Sequence, residues 1–176
     1  MPRSQSVDPQ PDDHVDLVLA QWRKVRPDLD ASPMAVFTRL YRLSKYLNRN
    51  VATVFRRHGL HDGEFDLLAT LYRSGQPQGL TPNALRRAAV LSSGAMTNRL
   101  DRLESAGLIK RVPNPEDRRS LLIRLSGDGR SVLLGCLDEY LAALQQMQAP
   151  LDAGQKELLA GALRTLLLAL EEPGDD

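Results

Sequence analysis

The feature that most constrains this chain is a change of period at Leu108. Up to Gly107, apolar residues recur three and four apart, as on one face of a helix. Leu108–Val112 and Ser120–Leu125 then read as short extended runs around the turn Pro113-Asn114-Pro115-Glu116-Asp117, and helical spacing resumes to Leu170. An isolated two-stranded ribbon is barely stable in water and must lie against other elements. The expected fold is therefore mainly α with one small β-hairpin, in the order five helices, two strands, two helices.

The helices can be placed by their start and stop signals. Val15, Val18, Leu19 and Trp22 give residues 14–26 one apolar face, which Pro27 ends. Ser32-Pro33 opens a long helix to about His58, stopped by Gly59. Glu64–Arg73 follows Asp62-Gly63, and Thr81-Pro82 starts a helix through Ala89. After the tight turn Leu91-Ser92-Ser93-Gly94, a helix capped by Ser92 runs to Ala106-Gly107. Two more helices span about Ser126–Gln148 and Asp152–Leu170. Four segments follow: a disordered tail (1–13), an N-terminal helix with Trp22 and a first dimerisation helix (14–62), a nucleic-acid-reading region (63–125) and C-terminal dimerisation helices (126–176).

Two short helices meeting at a tight turn and followed at once by a hairpin form the layout of a winged helix-turn-helix, whose second helix enters the DNA major groove while the hairpin lies on the backbone or minor groove. At about 100° per residue, with Met96 at 0°, Leu100 falls near 40° and Leu103 near 340°. These three should face inward. Ser92, Ser93, Thr97, Asn98 and Arg102 then belong to the outer arc, where hydroxyls, an amide and a cation suit base edges and phosphates. The hairpin tip offers Arg118 and Arg119 to phosphates or a narrow minor groove, with Asp117 able to orient one guanidinium. The leucines of the long and C-terminal helices suit a homodimer, which would set two reading helices about 34 Å apart on a palindromic duplex, the alternative being a monomeric helical bundle built on the same leucines.

Charge distribution agrees. Residues 92–124 carry 7 Lys/Arg against 4 Asp/Glu, whereas residues 125–176 carry 3 against 9, so a nucleic acid would meet the middle of the chain. Other classes find little support. There is no GxSxG, phosphate-binding glycine loop or CxxC pair, so no enzyme is expected. No apolar run is long enough to cross a bilayer, no secretory signal is evident, and a single cysteine suits a bacterial cytoplasm. Cys136 sits among leucines and beside two acids, which favours packing over thiol redox sensing. His14, His58 and His61 lack further ligands for a metal site, and no cofactor is expected.

Ser92 to Glu104 with Gly107-Leu108-Ile109, and Asp117-Arg118-Arg119-Ser120, resemble the recognition helix and wing signature of the MarR family of bacterial transcriptional regulators. The resemblance runs from about Pro33 to Leu170 and implies a DNA-binding repressor released by a small ligand. Within the family the chain is similar to the urate-responsive, PecS-like branch. That likeness implies a ligand site of Trp22, Asp66, Arg99 and Arg111 for urate, a planar anion suited to arginine forks and an aromatic face. Arg99, near 300° on the same wheel, could turn inward from the reading helix, and Asp66 stands in an apolar run where a carboxylate needs a partner. Related regulators answer phenolic compounds or antibiotics, and Cys136 would serve the redox alternative.

Overall fold

The structure, a computed structural model, describes residues 12–61, 63–89, 96–117 and 119–171. Seven helices and one hairpin follow in the expected order among them: α1 His14–Val25, α2 Pro33–Arg57, α3 Glu64–Arg73, α4 Pro82–Ala88, α5 Met96–Ser105, β1 Ile109–Pro113, β2 Leu121–Leu125, α6 Gly127–Met147 and α7 Ala153–Leu170. Contacts divide the chain into Met1–Asn50 and Val51–Asp176. The division falls inside α2 and not at residue 63 or 126. The reason lies in the second unit, where α6 packs on α3 and places Leu133 and Cys136 in the same core as the reading region.

In the first unit, Asp13 caps α1. Its carboxylate accepts the Val15 and Asp16 amides, and the Asp16 carboxylate accepts the Asp13 amide in return. Asp13, expected in the tail, is thus part of the fold. Arg39 of α2 then pairs with Asp13 at 2.9 Å and with Asp16 at 2.8 Å, fixing α1 on α2. The guanidinium holds the Asp13 carboxyl down at about 2.

In the second unit, Leu67, Leu68 and Leu71 of α3 are the hub of the core, with Leu85, Leu100, Leu103, Ile109 and Ile123 around them. Phe55 stacks on Phe65 with centroids 4.7 Å apart, and Tyr140 packs tilted against both at 5.8 and 5.1 Å, where α2, α3 and α6 meet. The hairpin pairs Ile109 with Leu125 and Arg111 with Ile123. A bridge the period did not foretell adds Leu80 to its edge: Leu80 donates to the Ile123 carbonyl at 3.0 Å and accepts from the Ile123 amide at 2.8 Å. Gly79 makes this approach possible. Its φ is +97°, and a Cβ there would lie 2.2 Å from the Ile123 carbonyl oxygen.

α7 is the exception to this packing. A capping box between Asp152 and Gln155 starts it, yet none of its residues is buried. Leu158, Leu168 and Leu170 are 76%, 65% and 75% exposed.

Candidate nucleic-acid interface

α5 has the orientation its angular pattern predicts. Met96, Leu100 and Leu103 are buried against α3 and β1, and Thr97, Asn98, Asp101 and Arg102 face outward. Ser92 and Ser93, expected at its start, lie outside the described residues.

Two contacts seat α5 on the N-terminus of α3. Glu64 is buried, and one carboxylate oxygen accepts the His61 amide at 2.7 Å while the other lies 3.3 Å from Arg102 Nε. Arg102 is half-exposed and so is braced at its base with its remaining donors open to solvent. Arg99 is half-buried and packs over Gly63. A Cβ at Gly63 would come within 2.7 Å of Arg99 Nε, which the flexible arginine could yield to, but the left-handed φ of +76° favours glycine there. Asp66 lies one turn further along α3, half-buried, and its charge adds to burial in raising the Tyr140 hydroxyl pKa.

Arg111 ties the wing to the reading helix. Its guanidinium reaches Asp101 at 2.6 Å and also pairs with Glu104, while its own amide donates to Glu104 at 3.1 Å. The Asp101 hydrogen bond and both negative charges raise the guanidinium pKa. The expected ligand residue is thus held by two carboxylates one turn apart on α5. Trp22 lies on α1 in the first unit, 37% exposed.

At the wing tip, Asn114 bonds Ser120 through backbone and side chain. Asp117 accepts the Arg119 amide at 3.0 Å, an Asx turn that shapes the tip. Its bond thus goes to the Arg119 backbone and not to that guanidinium. Arg119 is exposed and has no ion pair among the described residues, and Arg118 lies outside them. Arg86 and Arg87 on α4 are also exposed, without ion pairs among the described residues. The first helix of a helix-turn-helix crosses the DNA backbone, so adjacent arginines there were a legible signal that went unused.

Together these groups make a cationic, amide- and hydroxyl-bearing surface within the second unit. Residues 58–120 match the MarR family. The HTH-type transcriptional regulator PecS of Dickeya dadantii is 36% identical over 146 residues, spanning 83% of this chain and 88% of that protein. The chain belongs to the MarR family. This MarR-family regulator is accordingly a DNA-binding protein and not an enzyme. It is also similar to the transcriptional repressor YetL of Bacillus subtilis, at 24% identity over 79% of this chain and 83% of that one. Its winged-helix fold matches Sco3205, a MarR-family regulator from Streptomyces coelicolor solved in complex with DNA, with TM-score 0.74, 21% identity and coverage of 84% and 93%.

The other sensing chemistries fare differently. Cys136 is fully buried, and burial with the nearby Glu139 charge pushes its thiol up to about 11. A reactive sensor thiol needs the opposite setting. His58 contacts Glu139 at 3.0 Å, and no group of three or more metal-ligating side chains stands together among the described residues. No helix among them is long and apolar enough to cross a membrane.

Proposed function

We propose that this regulator is a repressor that binds a palindromic operator as a homodimer and releases it when a small anionic aromatic compound, urate first among them, engages Arg99. The observation that carries the reading is the two-sidedness of α5: three buried apolar residues inside, and Thr97, Asn98 and Arg102 outside beside the wing. The dimer is supported by α7, an 18-residue helix with a row of exposed leucines and nothing buried. Burying each such side chain against a second copy would contribute about 1.5–3 kcal/mol. Repression follows the sense of YetL, a repressor.

Release would work through charge exchange. Arg99 belongs to the reading helix yet packs on Gly63, and Arg111 is already engaged by two carboxylates of the same helix. An anion arriving between α3 and α5 would compete with these acids and with Asp66 for the guanidinium groups, and α5 would shift. Trp22 enters the site on the family resemblance alone. The test titrates urate into a complex of the protein with its own upstream DNA. Release by urate, lost in Arg99→Ala and Trp22→Ala, is expected. Unchanged DNA binding at millimolar urate would remove urate, and an unaltered response in Arg99→Ala would remove that residue's role.

A further inference from the structure

The hairpin carries an apolar group that neither the core nor the arginines of the tip account for. Residues paired directly across an antiparallel ribbon share a face. Ile109 with Leu125, Arg111 with Ile123 and Pro113 with Leu121 therefore lie on one face of β1 and β2. Near the body that face is core, with Ile109 and Ile123 at 1% and 0% exposure. One pair nearer the tip the core has ended: Leu121 is 46% exposed, and Pro113 opposite it is exposed too. Neighbours on one face of a strand are about 7 Å apart, so this aliphatic pair projects by that distance past the last buried residue of the face.

The pair is held in place and adjoins the reading helix. Just beyond it, the Asn114 amide donates to the Ser120 carbonyl at 3.1 Å and the Asn114 side chain donates to the Ser120 hydroxyl at 2.9 Å, which closes the ribbon. The ring of Pro113 fixes its own backbone φ. Behind the pair, on the same face, Arg111 is tied to Asp101 and Glu104 of α5. Asp101 stands one helical turn from Thr97 on the outer side of α5, so the face that carries Leu121 adjoins the DNA-reading face. Exposed Arg119 lies two residues before Leu121, and its attraction to phosphate would press this end of the ribbon onto the duplex.

A lone exposed leucine elsewhere would be ordinary surface. Here a leucine and a proline stand within a DNA interface, and neither side chain can hydrogen-bond a base edge. Aliphatic groups of this kind act on a duplex as wedges in the minor groove, where they partly unstack a base step and bend the DNA. What that costs depends on the step. Pyrimidine–purine steps such as TA open easily, whereas A-tracts are stiff. Burial of the Leu121 side chain against an opened step offsets part of the cost. Shape and deformability would then be read at positions that no hydrogen bond touches.

We infer that Leu121, backed by Pro113, is a specificity-determining residue that selects a flexible pyrimidine–purine step beneath the wing and kinks the bound DNA there. The inference rests on the DNA-binding role of the family and not on the effector. The probe is duplex DNA from upstream of the protein's own gene, with single dinucleotide steps replaced in turn by TA or by AA. These two steps present the same acceptors in the minor groove, so a difference between them at a step outside the sequence read by α5 reports deformability. At the step beneath the wing, the wild type should bind the TA duplex about five- to tenfold more tightly than the AA duplex. A 2-aminopurine placed in that step should brighten on binding as it unstacks. Leu121→Ser should lower the preference below about twofold and abolish the brightening, and Leu121→Ile, which keeps the wedge, should retain both. Leu121 is exposed, so both variants should melt within about 2 °C of wild type. A wild type that prefers TA at no such step overturns the inference, as does a Leu121→Ser variant that keeps the preference and the brightening. Loss of both in Leu121→Ile as well would assign the effect to the fold of the ribbon and overturns it too. Affinity for the parent duplex, measured alongside, tests operator binding separately.

Discussion

Replacing Arg111 with alanine should loosen the wing from the reading helix by a measurable and partitionable amount. Its guanidinium is 27% exposed, and its partners Asp101 and Glu104 are 54% and 37% exposed, so solvent screens both pairs. Buried charge-assisted bonds would each contribute about 1.5–3 kcal/mol, but exposed pairs fall to about 0.2–1 kcal/mol. Two such pairs give an expected loss of about 1 kcal/mol, or about 2–4 °C in Tm for a chain of this length. Urea denaturation of Arg111→Ala, Glu104→Ala, Asp101→Ala and the Arg111→Ala/Glu104→Ala double variant forms the assay. Glu104→Ala should cost more than Asp101→Ala, since Glu104 also accepts the Arg111 amide. The cycle should give a coupling of about 0.5 kcal/mol that shrinks in about 1 M salt, where exposed charges are screened. Full additivity, or an Arg111→Ala loss below about 0.3 kcal/mol, would refute the clamp.

Four further outcomes are expected. Cys136, held near 11 and fully buried, should stay protonated at neutral pH and react with a thiol reagent only after denaturation; rapid native labelling would contradict this. Asp13 is depressed to about 2 from an ordinary 3.8, so its pairing with Arg39 is fully present above pH 4 and lost as pH falls towards 2; the fluorescence of Trp22, the single tryptophan, should report loosening of α1 only in that window and at no defined pH in Arg39→Ala. Leu159→Glu/Leu167→Glu on exposed α7 positions should shift the protein to a monomer by light scattering while leaving the monomer folded, and an unchanged dimer would place the interface elsewhere. Arg86→Ala and Arg119→Ala should each weaken DNA binding uniformly across sequences and flatten the log Kd against log salt slope by about 1, the signature of one lost phosphate contact.

Element order was legible because helical and extended periods alternate cleanly and because Ser, Thr, Asp, Pro and Gly mark the boundaries. The α5 stripe of Met96, Leu100 and Leu103 was readable for the same reason: a rigid helical period fixes angles. What escaped depends on partners distant in sequence. Nothing local marks Leu80 as a strand partner of Ile123, since one bridging residue has no period. Glu64 reads as an ordinary acid in a first helical turn, yet it is buried and braces Arg102. Arg111 reads as a free cation until Asp101 and Glu104, three apart on α5, are seen to converge on it. Asp117 accepts the Arg119 amide two residues on, a turn contact that no periodicity foretells. Family membership rested on residue identities in the helix and wing, whereas the identity of the effector depends on how few groups recognise it.

The most direct test of the central claim is a footprint of the protein on duplex DNA from upstream of its own gene, with wild type and with Thr97→Ala/Asn98→Ala. The account predicts a protected palindrome for wild type. For the variant it predicts loss of that sequence preference, with residual, salt-sensitive binding through the remaining arginines. No protected sequence for wild type, or the same protected palindrome in the variant, would contradict it.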